Sequence, residues 1–451
     1  MRLQLPAAVN MIIDVLHAHG YEGFAVGGCV RDSVLNRKPD DWDITTSATP
    51  YQVKELFQKT VDTGLQHGTV TVLVGGTGYE VTTYRIDGEY EDGRHPKEVQ
   101  FTSNLIEDLK RRDFTINAMA YSQENGLIDA FGGMEDLQNK VIRCVGDPRQ
   151  RFQEDALRIL RAVRFAAQLG FSIEENTRKA IVELAPTLTK ISAERIQTET
   201  VKLLVSDRPQ MWKTVYELGI TKIIMPEFDE IMETPQNTPH HMLNVGEHTL
   251  RAMEGVENNK VLRLTMLLHD MGKAKMRTTD EHGVDHFKGH GDVGKEMARS
   301  ILRRLKFDND TIVKVCHLVY WHDDRAEVSE KAVRRAMNRV GEELFPMLLK
   351  VQRADTMAQS MYRREEKLAR IDGVEKLYKE ILEKKQCVSL KTLAVTGRDL
   401  IANGMKPGPE LGKVLEELLQ IVLDEPEKNQ KELLLQIWKE QKSCKNKDDI
   451  L

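Results

Sequence analysis

The sequence predicts an α+β chain, with a small mixed α/β head followed by an elongated all-α neck, body and tail. Three observations predict it. Short β-type runs ending in glycine turns, FAVGG and TVTVLVGG among them, are confined to the first part of the chain. After Pro148 the apolar residues recur at helical spacing almost to the end. Charged residues make up 30% of the 451 residues and aromatics only 6%, a mainly helical profile in a chain too long for one core.

The elements follow in order. Residues 1–20 carry apolar side chains at helical spacing, and an aspartate interrupts the run, so it reads as an amphipathic helix rather than a signal peptide. FAVGG, TVTVLVGG and the alternating YEVTTYR are strands. Residues 86–100, IDGEYEDGRHPKEVQ, are polar with two Asp-Gly pairs and read as a loop. VQF, the segment around NAMAY, and Leu127, Ile128 and Phe131 complete the head near residue 145. FQEDALRILRAVRFAAQLGF reads as one strong helix ending at Gly170. TPQNTPHH at 234–241 marks a boundary before a histidine-rich helical region, and ANGMKPGPELG breaks the last helical segment. The expected segments are 1–145, 146–205, 206–360 and 361–451.

Bulk properties exclude some classes. No apolar run is long enough to cross a bilayer, so no membrane partner is expected. The net charge of −5 excludes a uniformly basic nucleic-acid binder but leaves room for a local basic stripe between Arg143 and Arg164. Five scattered cysteines without a CxxC pair suit reduced thiols in a cytoplasm.

The most telling stretch is GGCVRD at 27–32 followed by DWDI at 41–44. Asp41 and Asp43 stand two apart, and on a strand alternate side chains share a face. Two carboxylates so close repel, and a divalent cation relieves them; with phosphate bound, magnesium suits oxygen ligands. Glu80, second residue of YEVTTYR, offers a third carboxylate for a two-metal arrangement. Gly27 and Gly28 let backbone N–H groups approach phosphate oxygens, and Arg31 adds charge. The bland alternative for DxD alone is a solvated turn. Arg112 can fork phosphate oxygens, while Asp113 and Asn117 can bond ribose hydroxyls; a charged helix start is the alternative. Asp155 and Arg158, three apart on the expected helix, share a face and offer an acceptor and a donor to the edge of a base. A surface salt bridge is the alternative there.

Together, GGCVRD…DWDI, RRDFTINAMAY at 111–121 and EDALRILRAVRFAAQLGF at 154–171 resemble the motifs of the class II nucleotidyltransferase superfamily, with a DNA polymerase β-like head. The best match is to the CCA-adding enzymes, the tRNA nucleotidyltransferases. The resemblance implies template-independent addition of C, C and A to the tRNA 3′ end from CTP and ATP, with pyrophosphate released. It implies Mg2+ on Asp41 and Asp43 with Glu80 alongside. Arg112 is implied at the triphosphate, Asp113 and Asn117 around the sugar, and Asp155 and Arg158 at the base. Arg161 and Arg164 match further nucleotide-site arginines. Arg164, though, is nine residues from Asp155, about half a turn round a helix, so it either braces the neck or reaches the site by its length.

The loop at 86–100, with Asp92, Arg94 and Lys97, matches the one that CC-only relatives shorten. This disfavours a CC-only enzyme and leaves an A-adding enzyme open. A poly(A) polymerase of the same superfamily is the other alternative, although DTGLQHGTVTV lacks the basic run of those enzymes. The tail, with LAVTGRDLIANGMKPGPELGKVLEELL, is implied to hold the tRNA elbow, with the acceptor stem reaching the head.

A second resemblance, to HD-domain phosphohydrolases, rests on His248, the His269–Asp270 doublet and Asp355, with His290 and His322 matching extra histidines of two-metal versions. It implies a further divalent metal, Mn, Ni, Fe or Mg. A metal-dependent phosphohydrolase carrying a silent head is the alternative from a different class. Oligomeric state is not legible.

Overall fold

The computed structural model describes residues 2–88 and 99–448, and the side chains of Asp87 and residues 443–448 are not described. The chain divides into two compact units, Met1–Pro226 and Glu227–Leu451.

The first unit opens with α1 (Ala7–Ala18), which buries Val9, Ile12, Ile13 and Leu16 on one face. Then follow β1 (Gly23–Val26), α2 (Gly28–Val34), β2 (Ile44–Thr46), α3 (Pro50–Leu56), β3 (Thr60–Gly64), β4 (Thr69–Val74) and β5 (Thr77–Thr83). Thr49 and Gln52 form a reciprocal capping box at the start of α3, with Pro50 at its first position. Gly75 and Gly76 join β4 to β5 with φ of 58° and 86°. Positive φ at both turn positions gives the hairpin twist that side chains with a Cβ resist. β6 (Arg85–Asp87) pairs with β7 (Val99–Phe101). Next come α4 (Leu105–Lys110), β8 (Met119–Ser122), β9 (Gly126–Asp129), α5 (Gly133–Asn139) and β10 (Val141–Ile142).

Seven strands form one sheet in the order β3-β4-β5-β2-β1-β8-β9. Only β2 and β5 are parallel, with Ile44 opposite Val81; the other pairs are antiparallel. Phe24, Val26, Tyr84, Leu105, Leu109 and Val145 pack as a core against this sheet.

The rest of the unit is helical: α6 (Pro148–Glu154), α7 (Leu157–Leu169), α8 (Glu175–Leu184), α9 (Ala193–Leu204), α10 (Trp212–Glu217), α11 (Thr221–Ile224) and α12 (Pro226–Met232), the last straddling the division. One strand interrupts this run, against the expectation of unbroken helix after Pro148. β11 (Ser172–Ile173) pairs in parallel with β10, so the chain after α7 is stitched back to the head.

The second unit continues with α13 (Val245–Glu254), α14 (Lys260–Leu268), α15 (Lys273–Met276), a small hairpin of β12 (Thr278–Thr279) and β13 (Asp285–His286), then α16 (His290–Arg304), α17 (Asn309–Trp321), α18 (Glu330–Val340) and α19 (Phe345–Ala358). α20 (Arg364–Glu383), α21 (Gly397–Ala402), α22 (Pro409–Asp424) and α23 (Lys431–Asp448) complete it. Leu318, Val333, Met337, Phe345, Leu419 and Trp438 share one core, so the terminal helices close on α17–α19. Among the described residues no helix is long and apolar enough to cross a membrane.

Candidate active site and metal centre

Asp41 and Asp43 do not lie on a strand, as the spacing suggested; they stand in the extended segment entering β2, which begins at Ile44. The segment still follows the sheet, because Val26 N–H donates to Asp43 O at 3.0 Å. Ile44 lies opposite Val81 on β5, which brings Asp43 level with Glu80 across the parallel pair. The three carboxylates sense one another. Desolvation raises the Glu80 carboxyl, and the charges of Asp43 and Asp41 raise it further. Asp43 is raised by desolvation and by Asp41, with Arg112 acting against both. Mutual repulsion of this kind suits a site that takes a divalent cation.

Gly27 makes the turn from β1 into α2 with φ of 82°, and a Cβ there would stand 2.9 Å from Arg112 Nη1. The positive φ demands glycine, and a side chain there would also push the end of Arg112 aside. Arg31, buried on α2, donates to Asn117 Oδ1 at 2.7 Å and to Asp32 at 3.0 and 2.9 Å. Asn117 Nδ2 donates to Asp113 Oδ1 at 3.1 Å. Asp113 Oδ2 receives Arg161 Nε and Nη2 at 2.7 and 2.6 Å. One polar chain thus joins α2, the turn at 115–117 and α7. Burial alone would raise the Asp113 carboxyl, but Arg161 and Asn117 outweigh it and bring it to about 2.

Asp155 and Arg158 depart from the one-helix reading. Asp155, with φ −143° and ψ 104°, sits in a break between α6 and α7. Its Oδ1 accepts from Leu157 N–H at 3.0 Å, a local Asx bond that competes with continuous helix. Its Oδ2 receives Arg195 Nη2 from α9 at 2.6 Å. Arg158 donates to Glu154 Oε2 at 2.6 Å and to the carbonyls of Arg151 and Arg111, both at 3.0 Å. Of the two readings of Arg164, the brace is the one observed: its Nε donates to Glu199 on α9 at 2.6 Å and its Nη1 to Gln168 at 2.9 Å.

Sequence reasoning passed over Asp108. Fully buried on α4, it accepts from Thr45, from Arg85 N–H and from Arg111, and lies 3.6 Å from Arg112. Its i,i+4 spacing to Arg112 was the available signal. Arg195 carried no motif. Asp92, Arg94 and Lys97 of the expected loop lie outside the described residues.

In the second unit His248 (α13), His269 and Asp270 (following α14) and Asp355 (α19) converge, as do His290 (start of α16) and His322 (end of α17). His248 Nε2 is 3.0 Å from Asp355 Oδ1, and His269 Nε2 is 3.2 Å from Asp270 Oδ2. His290 Nε2 and His322 Nε2 face each other at 3.1 Å and lie 3.7 and 3.6 Å from Asp270 Oδ1. His269, His290 and His322 each turn Nδ1 to the carbonyl three residues earlier, at 2.6–2.8 Å. That bond places the proton on Nδ1 and aims the Nε2 lone pair at the common centre. Ion-pair contacts aside, the buried Nε2 of His269 and both oxygens of Asp270 have no hydrogen-bond partner among the described residues. Two sets of ligand atoms, His248/His269/Asp270 and Asp270/His290/His322, each lie within 4.8 Å of one another. The set fits divalent metal, with Asp270 common to both. Lys273 Nζ lies 2.7 Å from Asp270 and Arg325 2.7 Å from Asp355, two cations absent from the sequence-based set. The cluster opens on a cavity of about 800 Å³.

Family models match three stretches: Poly A polymerase head domain over residues 23–143, probable RNA and SrmB-binding site of polymerase A over 170–232, and a putative tRNA nucleotidyltransferase domain 2 over 290–438. The CCA-adding enzyme of Pediococcus pentosaceus is 35% identical over 94% of this chain and 95% of its own length. That of Enterococcus faecalis is 35% identical over 96% and 95%. The crystal structure of the Bacillus stearothermophilus CCA-adding enzyme in complex with CTP covers 97% of this chain and 98% of its own, at 30% identity and a TM-score of 0.73. The protein is a nucleotidyltransferase with a polymerase-type head. The match along its whole length narrows the class: the chain belongs to the CCA-adding enzymes, the tRNA nucleotidyltransferases.

Proposed function

We propose that the chain builds the CCA end of tRNA from CTP and ATP without a nucleic-acid template, through the residues assembled around Asp43. The observation that carries this reading is the alignment of Asp43 with Glu80 across the parallel strands, beside Arg112. The tRNA 3′-hydroxyl attacks the α-phosphate and pyrophosphate leaves. Divalent metal, expected for the family, would be held as Mg2+ by Asp41 and Asp43 with Glu80 alongside, and supplies charge neutralisation at attacking and leaving oxygens when bound. Gly27, Gly28 and Arg31 cradle the phosphates, Arg112 and Arg161 fork them, and Arg164 stiffens the helix that carries Arg161. Asp113 and Asn117 face the sugar; Asp155 and Arg158 read the base edge. A solved relative holding CTP supports the nucleotide assignment. The helical tail grips the tRNA elbow.

The test uses tRNA lacking CCA, tRNA ending in CC, and an unrelated RNA, each with labelled CTP or ATP. Full CCA addition to the first is expected. Addition of A alone to tRNA-CC would instead indicate an A-adding enzyme, and long tails on any RNA a poly(A) polymerase.

A second activity is favoured by the shared Asp270. His248, His269, Asp270 and Asp355, extended by His290 and His322, would hold Mn, Ni, Fe or Mg for phosphoester hydrolysis. Full-length Asp43→Ala protein is to be assayed with 2′,3′-cyclic AMP and each metal; turnover is expected, and none with any metal would remove this reading.

A further inference from the structure

We infer that Phe165 is a positioning residue that racks Arg31 and Arg161 for the incoming triphosphate, with the bracing Arg164 on the same ring, and thereby sets nucleotide affinity. The inference rests on the assignment of Arg31 and Arg161 to the nucleotide site. Phe165 is buried on α7. The guanidinium carbon of Arg164 lies 3.6 Å from its ring centroid, that of Arg31 4.9 Å and that of Arg161 5.3 Å. Arg31 comes from α2 and the other two from α7, so the ring is where head and helix meet.

Three guanidinium groups around one side chain repel one another. Each has its own acid: Arg31 meets Asp32, Arg161 meets Asp113 and Arg164 meets Glu199. Asp113 holds Arg161 directly and Arg31 through Asn117, while Arg164 is held separately by Glu199. The face of the ring is the one surface all three share, since cations within about 6 Å of an aromatic centroid are attracted to it. The ring is held in turn by Phe114, edge-on at 5.8 Å and 83°. Phe114 follows Asp113, whose carboxylate grips Arg161, so the ring and its nearest acid are fixed by the same short segment. An ordinary core phenylalanine would be replaceable by leucine at a cost in stability alone. Here leucine retains most of the apolar volume and removes the π face.

The experiment compares the full-length wild type with F165L, F165Y and R161A. F165L is expected to raise KM for CTP and for ATP about three- to tenfold, the range of a single partly exposed cation–π contact. Its kcat should stay within about twofold, because the metal-side carboxylates are untouched. Inhibition by pyrophosphate should weaken by the same factor as KM rises, and F165Y should restore all three values. Equilibrium CTP binding and thermal melting accompany the kinetics, and F165M replaces F165L if the latter does not fold. Unchanged KM in F165L, loss of kcat at constant KM, or equal impairment in F165Y would overturn the inference. If R161A leaves KM unchanged, the assignment of these arginines falls and the inference with it. If R161A raises KM and F165L does not, only the role of Phe165 falls.

Discussion

Arg195 on α9 reaches Asp155 in the break between α6 and α7 and donates to its Oδ2 at 2.6 Å. With Oδ1 taken by Leu157 N–H, both oxygens of the carboxylate are oriented. In the base-reading role proposed for Asp155, an acceptor so oriented suits the exocyclic amino groups of cytosine and adenine and rejects carbonyl oxygens at the same place. Arg195→Ala should let the carboxylate rotate and raise incorporation of UTP and GTP relative to CTP and ATP by about tenfold, one charge-assisted hydrogen bond's worth. Competition assays on tRNA lacking CCA measure it; unaltered selectivity would assign the orientation of Asp155 to Leu157 alone.

Asp43 should be indispensable. Asp43→Ala is expected to lower single-turnover incorporation by about a thousandfold or more, since it removes a charge aimed at the reacting oxygens. The fold should survive, because the carboxylate stands on the exposed entry to β2. Incorporation at near wild-type rate would relocate the metal site.

The Asp113–Arg161 pair links stability to pH. The folded-state carboxyl lies at about 2, below the unfolded value of about 3.9, so the unfolded chain binds this proton more readily. The stabilisation is complete above about pH 4 and is lost as pH falls through about 2, on the order of 2–3 kcal/mol. Asp113→Asn should lack that acid-range component in denaturant titrations. The same slope in wild type and variant would show that Arg161 does not hold the carboxylate in solution.

Metal should stabilise the second unit through Asp270. In an Asp43→Ala background, Mn2+ or Ni2+ at about a hundredfold excess over its dissociation constant is expected to add about 2.7 kcal/mol to unfolding. Asp270→Ala should abolish the shift in calorimetry because it removes a ligand common to both sets. A shift that persists would place the metal elsewhere.

The first helix and the strands β4 and β5 of the head were legible, the strands because TVTVLV alternates and Gly75-Gly76 punctuates it, while the short helices α2–α5, at six or seven residues each, show too few turns for a helical period. The carboxylate trio was legible in composition but not in placement. DxD spacing says two residues share a side, and only the pairing of β2 with β5 says that Glu80 stands beside them. The break at Asp155 was hidden because EDALRILRAVRF keeps helical periodicity across it; a single side-chain bond to Leu157 decides the local geometry. Arg195 and Glu199 were invisible for a different reason. They meet Asp155 and Arg164 from α9, and no local pattern announces a contact made over 35 or more residues. The metal cluster was readable as a roster of histidines, while the carbonyl bonds that aim their Nε2 atoms belong to helix ends.

The parallel pairing of β2 with β5 carries one more consequence. Asp43 and Glu80 face the same cleft only while Ile44 is opposite Val81. A slip of one residue would turn Glu80 to the far side of the sheet. The head is therefore its own inspector: a molecule folded out of register can keep its helices and still lack the charge constellation, so catalytic competence certifies that the sheet was assembled correctly.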